Sequence, residues 1–245
     1  MDKIIHVKNL YKKFGEIEAV KGIDFFVERG QLFSLLGPNG AGKSTTINIL
    51  CTLLAYDGGS VIMDNFQLGK DDKQIKSHIG VVFQESVLDP LLTVRENLTV
   101  RGKFYIKNSA SVKQAVHEAA LAVGAMEFID RPYGKLSGGQ RRRVDISRAL
   151  IHKPDILFLD EPTTGLDPQA RKMVWETIKH LQQERGMTVF LTTHYMEEAN
   201  LSDYIVMLDH GSIVEKGEPD ELKVRYQART LDEVFLRVAE ENGEL

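Results

Sequence analysis

The sequence predicts an α/β fold with a mixed or parallel core sheet and an antiparallel β subdomain at its N-terminal end. Continuous apolar runs at 32–36, 156–159 and 188–192 are typical of strands buried on both faces of a parallel sheet. A glycine-rich segment follows the first run and leads into a helical pattern. Segments rich in Val, Ile and Phe precede that run and alternate with turn residues, which favours an antiparallel sheet.

The N-terminal elements follow from short-range patterns. Segment 4–27 alternates apolar residues with the turn residues Asn9, Gly15 and Gly22, so it predicts short antiparallel strands. The first apolar run then predicts a strand, and after the glycine-rich segment an apolar helical period extends to Leu54. Strand, glycine loop and helix therefore follow one another directly.

The middle of the chain predicts helix. Ser111 and Gln114 form a capping-box pair ahead of an apolar helical period, which predicts a helix over 111–129. Apart from a short strand at 81–83, which ends before Gln84, little in this region favours strand.

The C-terminal half predicts a β-α-β order. Asp160 ends the second apolar run, and Asp167 with Pro168 supplies the N-cap and first residue of a helix that precedes the third run. The remaining signals are His210 and Gly211 at a hairpin turn, and Thr230 and Glu233 at the cap of a final helix.

Composition excludes several classes of protein. The net charge is −4 and the basic residues are dispersed, which argues against a dedicated nucleic-acid binder, so no nucleic-acid partner is expected. No apolar run approaches the ~20 residues that a membrane helix needs. Cys51 is the only cysteine, which excludes an internal disulfide and disfavours a thiolate metal site. A cytosolic protein fits all of these features.

A phosphate-binding loop is the first chemical motif. Segment 37–44 fits the pattern GxxxxGK[ST] and lies between a predicted strand and a predicted helix, as the motif requires. Backbone N–H groups of such a loop point at phosphate oxygens, the Lys43 ammonium reaches the β- and γ-phosphates, and the Ser44 hydroxyl binds Mg²⁺. The residues expected to bind nucleotide are Gly37, Pro38, Asn39, Gly40, Ala41, Gly42, Lys43, Ser44 and Thr45.

Two adjacent carboxylates follow the second apolar run, at the strand end where open α/β sheets bind their ligands. Asp160 suits the position that holds Mg²⁺ through its water shell. Glu161 is one residue nearer the γ-phosphate and is the candidate general base for the attacking water. A nucleotide-binding module without turnover would not need Glu161.

A third motif, Leu136-Ser137-Gly138-Gly139-Gln140, narrows the choice among nucleotide-binding proteins. Ser137 predicts the N-cap of a helix, so free N–H groups and the positive end of the helix dipole lie beside two glycines. The segment resembles LSGGQ, the signature of the ABC ATPase family, and the resemblance extends over nearly the whole chain.

The resemblance implies a P-loop NTPase fold of the ABC type with a helical signature subdomain. It implies an ABC ATPase domain at 1–225, a helical subdomain inserted at about 85–150 and a short helical extension at 226–245. It also implies ATP and Mg²⁺ as cofactors, and a head-to-tail pair of ATPase subunits, most simply a homodimer. Integral membrane permease subunits are the further partners, so the chain is expected at the inner face of the cell membrane.

Single residues acquire roles through the same resemblance. Gln84 corresponds to the loop that senses Mg²⁺ and contacts the permease, and His194 to the switch at the γ-phosphate, where it joins Glu161 and Lys43 as a catalytic residue. Phe14 stands where the family stacks an aromatic residue on adenine, although many members have Tyr there. The residues expected to act on the opposite subunit's ATP are Ser137, Gly138, Gly139, Gln140 and Asp167.

Segments 193–199 and 231–236 resemble the corresponding parts of ATPases of bacterial exporters for drugs, antibiotics or polymers. Two alternatives stay open, the ATPase of an importer and a soluble ABC ATPase that acts on nucleic acid or ribosomes. Arg141, Arg142 and Arg143 are expected on a solvated or interface face of a short helix. The cluster expected to dock the permease is Val87, Leu88, Leu91 and Leu92.

Overall fold

A computed structural model describes residues 2–241. The chain divides into two compact units, Met1–Lys76 with Thr188–Leu245, and Ser77–Met187. The strands are β1 (Lys3–Phe14), β2 (Ile17–Glu28), β3 (Leu32–Leu36), β4 (Gly58–Met63), β5 (Phe66–Gln67), β6 (Ile79–Val82), β7 (Ile156–Asp160), β8 (Thr188–Thr193), β9 (Tyr204–Asp209) and β10 (Ser212–Gly217). The helices are α1 (Lys43–Leu50), α2 (Asp72–His78), α3 (Val94–Lys103), α4 (Ser109–Ala122), α5 (Gly138–Leu150), α6 (Pro168–Arg185), α7 (Met196–Ala199), α8 (Pro219–Arg225) and α9 (Leu231–Glu241), with 3₁₀ turns at Met126–Phe128 and Tyr133–Lys135.

The first unit contains the antiparallel sheet expected near the N-terminus, in the strand order β2-β1-β4-β5. β1 and β2 are two long strands that meet at Gly15, so the expectation of several short strands was wrong. Asn9 and Gly22 have positive φ inside these strands, and the register shifts between Val7 and Leu10. A bulge bends a strand and uses turn-forming residues without ending it, which explains the difference.

β4 is a strand that the sequence analysis missed. Val61 and Met63 are fully buried whereas Ile62 between them is 43% exposed, the alternation of a half-buried strand. Val61 pairs with Val7 of β1. The expectation that the middle of the chain contains little strand was therefore wrong for this segment, because two glycines at its start weaken the pattern.

The first unit also contains a mixed sheet in the order β10-β9-β3-β8. β3 pairs in parallel with both β8 and β9, and β10 pairs antiparallel with β9 across the turn at His210 and Gly211. Phe33 stacks between Phe25 and Phe190, with ring centroids 5.5 and 5.0 Å away. The predicted mixed sheet, its two apolar strands and the C-terminal hairpin are confirmed.

In the second unit β6 and β7 pair in parallel, with Val82 opposite Leu159. β7 ends at Asp160 as predicted. α6 begins at Pro168, and the Asp167 Oδ1 atom accepts the N–H of Ala170 at 2.9 Å, which confirms the predicted cap. The buried side chains of this helix include Val174, Ile178 and Leu181.

Two predicted helices have different ends in the structure. The Oδ1 atom of Asn108 accepts the N–H groups of Ala110 and Ser111, so α4 is capped by Asn108 and Ser111 lies inside the helix. α4 ends before Gly124, whose φ is +62°, and the prediction of helix over 111–129 was wrong at both ends. α1 likewise ends before Leu54, which lies outside the helix.

The C-terminal helix α9 packs into the core of the first unit. Thr230 Oγ1 accepts the N–H of Glu233 at 3.3 Å, as the capping prediction requires, whereas the Glu233 carboxylate accepts the N–H of Arg229 at 2.7 Å. Residues 242–245 of the expected extension lie outside the described residues. The apolar cluster around α9 contains Leu231, Val234 and Val238 of the helix with Leu36, Ile205, Met207 and Leu222.

Candidate functional site

The phosphate-binding loop lies between β3 and α1 in the first unit, as its motif predicts. Gly42 has φ +101°, and a Cβ atom there would lie 2.5 Å from the backbone oxygen of Ala19. Only glycine fits this conformation and this distance. Ser44, at the second position of α1, is exposed, so its hydroxyl can reach a ligand.

Lys43, the charged residue of this loop, is buried, with 4% of its surface exposed. Its Nζ atom donates to the backbone oxygens of Gly37 at 2.8 Å and Pro38 at 3.0 Å. These carbonyls hold the cation against the loop, where phosphate oxygens are expected to bind.

His194 lies at the same sheet edge as the loop because β3 and β8 are parallel neighbours. Leu36 pairs with Thr193, and the Gly37 N–H donates to the Thr193 oxygen at 3.4 Å. The centroids of the His194 and Tyr195 rings are 4.1 Å apart. The structure therefore brings the phosphate-binding loop and His194 together, as expected for strand ends of a parallel sheet.

Phe14 ends β1 and is 46% exposed, so its ring is not part of the core. The Nζ atom of Lys12 lies 5.2 Å from its centroid, a distance typical of a cation–π contact. One face of an exposed ring on a strand end is a suitable surface for stacking.

The second unit brings Gln84 to the same sheet edge as Asp160 and Glu161, because β6 and β7 are parallel neighbours. Glu161 has φ +43°, an uncommon conformation for a residue other than glycine. The Thr164 hydroxyl donates to Glu161 Oε2 at 3.1 Å. This hydrogen bond orients the carboxylate directly after the strand.

The signature segment forms the first turn of α5. Ser137 Oγ accepts the Gln140 N–H at 3.4 Å and the Gln140 side chain accepts the Ser137 N–H at 3.1 Å, so the predicted N-cap is confirmed as a full capping box. A Cβ atom on Gly139 would lie 2.8 Å from the Cβ of Ala170, which explains the glycine. This contact brings the signature next to the first turn of α6, which Asp167 caps.

The expectation for the arginine run was wrong for Arg142, which is 6% exposed. Its guanidinium donates to the backbone oxygen of Phe83 at 2.6 Å and to that of Gln84 at 3.0 Å. Asp145 and Arg148 follow at three-residue spacing on α5 and are also buried. Their i, i+3 spacing and opposite charges were the available signal, and the sequence analysis did not use it.

Burial controls the ionisation of this group. It raises the pKa of Asp145 and lowers the pKa of both Arg142 and Arg148. Burial and the nearby charge of Asp145 raise the pKa of Tyr133 to about 12. The Tyr133 hydroxyl donates to Asp145 Oδ1 at 3.2 Å, and the Ser86 hydroxyl donates to the same oxygen at 2.6 Å. The carboxylate is therefore held by hydrogen bonds in a dry environment.

Comparison with known proteins identifies the family. A family model described as ABC transporter matches residues 20–164, a span that contains the phosphate-binding loop, the signature and both strand-end carboxylates. The chain belongs to the ABC transporter family. Within that family it is an ATP-binding and ATP-hydrolysing protein.

Two relatives are similar to this ABC ATPase over most of its length. A linearmycin resistance ATP-binding protein of Bacillus subtilis is 41% identical over 229 residues, which cover 93% of this chain and 73% of the relative. A Nod factor export ATP-binding protein of Ralstonia nicotianae is 41% identical over 220 residues, which cover 89% and 68%. Their names favour the exporter interpretation over an importer or a soluble ATPase.

Solved ABC structures have the same fold. A dimeric ATP-binding cassette in a post-hydrolysis state with ADP and Pi has a TM-score of 0.77 and 32% identity, and the match covers 87% of this chain and 98% of that one. The cbiO1 protein of Clostridium perfringens, part of an ABC transporter complex, has a TM-score of 0.86 and 28% identity, with 98% and 95% covered. Within residues 2–241 of this ABC ATPase, no helix combines the length and the apolar character of a membrane span.

Proposed function

We propose that this ABC ATPase binds MgATP between two copies of the chain and powers an exporter through membrane-embedded permease subunits. The observation that carries the proposal is the exposure of Ser137 and Gly138 at the first turn of α5, a helix of 13 residues. N–H groups there and the helix dipole favour an anion. Ser137 accepts one hydrogen bond as the cap, and its hydroxyl proton remains able to donate to a phosphate of the opposite subunit's ATP.

The nucleotide contacts follow from the described geometry. Backbone N–H groups of the loop from Gly37 to Thr45 bind the phosphates, and Lys43 exchanges two carbonyl oxygens for β- and γ-phosphate oxygens. The exposed ring of Phe14 stacks on adenine. His194, next to the loop in the first unit, contacts the γ-phosphate.

The donors proposed for Mg²⁺ are the Ser44 hydroxyl, the side-chain oxygen of Gln84 and the Asp160 carboxylate, the last through the ion's water shell. They fit the ion, because Mg²⁺ prefers oxygen ligands and Ser44 and Gln84 are exposed. Mg²⁺ held by these residues would neutralise negative charge on the β- and γ-phosphates.

Glu161 is proposed to accept the proton of the attacking water. The hydrogen bond from Thr164 orients the Glu161 carboxylate directly after the strand, and a carboxylate in that position can accept a proton from water. Lys43 stabilises the charge that develops on the γ-phosphate, and His194, at the end of the neighbouring parallel strand β8, holds the same group. Asp167 caps α6 beside the signature and is proposed to cross the subunit interface with Gly139 and Gln140.

The permease is proposed to dock on the segment after Gln84. Val87 is 62% exposed and Leu91 is 86% exposed, whereas Leu88 and Leu92 are half-buried. Exposed apolar side chains on a polar surface favour a protein partner. This docking would hold the chain at the cytoplasmic face of the membrane.

Domain boundaries are proposed as an ABC ATPase domain at 1–225 with a helical subdomain at about 85–150. The segment 226–245 is proposed as a short extension, and its helix α9 packs against the core of the first unit. Deletion of this extension is therefore expected to expose apolar core residues.

Mixed dimers test the composite site. One chain carries Lys43→Ala and its partner carries Ser137→Arg, so one site of the mixed dimer contains both lesions and the other contains neither. We expect ATPase activity to return in this dimer. Differently tagged chains allow the mixed dimer to be purified and its composition verified.

The reciprocal mixture is the control. Both lesions on one chain, paired with the unmodified chain, leave one lesion in each site, and that dimer is expected to be inactive. A site built within one subunit predicts the opposite pair of results, which would refute the trans role of Ser137.

A further inference from the structure

One face of α5 holds the end of β6 and the segment that follows it. Arg148 Nη2 donates to the Val81 oxygen at 2.5 Å, and Arg142 donates to the oxygens of Phe83 and Gln84. The Ser86 hydroxyl donates to Asp145, which lies between Arg142 and Arg148 on the same helix. Side chains at i, i+3 and i+6 of a single helix therefore contact four residues within the stretch 81–86.

The Arg142 contacts differ from the others because of where their acceptors lie. Phe83 and Gln84 follow the last residue of β6, so their carbonyl groups are outside the strand. The side chain of Gln84 is exposed while its backbone oxygen is bound by a buried guanidinium. Arg142 thus positions the base of the Gln84 side chain and leaves its amide group free to reach a ligand.

The same helix begins at the signature. Arg142 lies within the first two turns of α5, close after the capping box of Ser137 and Gln140. An α-helix is stiff over this length, so a displacement of its N-terminal turn also moves the guanidinium. Two hydrogen bonds to consecutive carbonyl groups transmit that displacement to Gln84.

We infer that Arg142 is a positioning residue that couples engagement of the signature by ATP to the position of the Gln84 segment. This inference rests on the proposed function, in which the signature binds the opposite subunit's ATP and Gln84 contacts Mg²⁺ and the permease. In these terms Arg142 links the nucleotide interface to the surface that carries Val87 and Leu91.

Arg143 supplies the matched control. It is adjacent on the same helix, donates to the oxygens of Val123 and Gly124, and lies 5.2 Å from the ring centroid of Phe128. Its contacts hold the turn that follows α4 and do not involve the Gln84 segment. A general loss of helix packing should therefore affect Arg143→Gln and Arg142→Gln alike, whereas coupling should be lost only in Arg142→Gln.

The test is amide hydrogen exchange of the peptide spanning 84–88, with saturating MgATP, in a Glu161→Gln background that prevents turnover. Coupling is the exchange-rate difference between the ATP dimer and the same chain carrying Ser137→Arg, which cannot engage the nucleotide. We expect engagement to change exchange by a factor of about 5 or more, the lower end of allosteric couplings. Arg142→Gln should abolish this difference while dimerisation and ATP affinity are retained, and Arg143→Gln should preserve it.

Other results of this experiment would overturn either the coupling or the proposed function. If the exchange-rate difference persists in Arg142→Gln, the coupling is overturned. The same holds if the chain with native Arg142 shows no difference. Neither result contradicts the composite site. Failure of the Glu161→Gln chain to dimerise with ATP overturns the proposed function and the inference with it. If Arg142→Gln does not fold, Arg142→Lys decides, because an ammonium can replace only part of the bidentate contact. A reduced difference then supports the coupling and an unchanged one overturns it.

Discussion

The Nζ atom of Lys43 lies 2.8 Å from the backbone oxygen of Gly37, the first residue of the phosphate-binding loop. The ammonium group is almost fully buried and makes a second hydrogen bond to Pro38. The cation is therefore already withdrawn from water, which would lower the desolvation cost of the phosphate contact proposed for Lys43.

Lys43→Ala is expected to weaken ATP binding by about 10- to 100-fold, the usual scale of a lost charge-assisted hydrogen bond. Equilibrium binding of ATP measures the effect, and Lys70→Ala, at an exposed position of the same unit, is the control. Equal affinity in Lys43→Ala and the unmodified chain would remove Lys43 from the phosphate site. Thermal melting separates lost binding from lost folding.

Glu161→Gln should leave ATP binding nearly intact and lower turnover by at least roughly a hundredfold, the scale of a lost general base. The amide can still accept the hydrogen bond from Thr164, so the local fold should persist. Nucleotide binding and phosphate release are measured on one preparation, with Glu176→Gln on the exposed face of α6 as the control. Undiminished phosphate release would show that another group activates the water.

Phe14→Ala should weaken ATP binding by about 1–3 kcal/mol, by analogy with base stacking on aromatic side chains. The effect should fall on affinity and leave the maximal rate nearly unchanged. Ile17→Ala is the control, because Ile17 is 71% exposed across the same turn and is not aromatic. If both variants bind ATP like the unmodified chain, adenine does not stack on Phe14.

Leu91→Glu should abolish recruitment to membranes that contain the permease, because a charge at an apolar contact must be desolvated on docking. ATP hydrolysis by the isolated chain should be unaffected. Co-sedimentation with such membranes measures recruitment, and Leu121→Glu is the control because Leu121 is 60% exposed on α4. Recruitment of Leu91→Glu at the level of the control would locate the docking surface elsewhere.

His152 should make the protein less stable as the pH falls below 6.5. Burial lowers the pKa of His152 beneath its ordinary value of 6.5, although the Ile79 carbonyl partly opposes this shift. Between the lowered pKa and 6.5 the unfolded chain binds more protons than the folded chain, so stability is full above 6.5 and is lost on acidification. His152→Gln should reduce by a few degrees the fall in melting temperature between pH 7.5 and pH 5.

His117 is the control for this pH dependence, since it is exposed on α4. His117→Gln should melt with the same pH profile as the unmodified chain. Identical profiles for His152→Gln and His117→Gln would mean that acid sensitivity arises at other groups.

The predictable parts of the fold depend on local signals. β3, β7 and β8 are continuous apolar runs, and Asp167 and Ser137 carry their own capping chemistry, so both strands and caps could be placed from short windows of sequence. β4 could not, because its pairing with β1 stabilises a segment whose own pattern is weak. Asn108 caps α4 in place of the predicted Ser111, because its side chain lies about one turn earlier and the helix extends back to it.

The sequence by itself predicted the site chemistry proposed for this ABC ATPase, since phosphate binding, water activation and the signature each depend on residue types at fixed local spacing. Only the tertiary structure decided which charges are buried. Arg141 and Arg142 are adjacent and chemically identical, yet Arg141 is exposed and Arg142 binds the carbonyl groups of Phe83 and Gln84. The physical reason is that burial depends on what packs against a helix face, and here the partner is a segment far away along the chain.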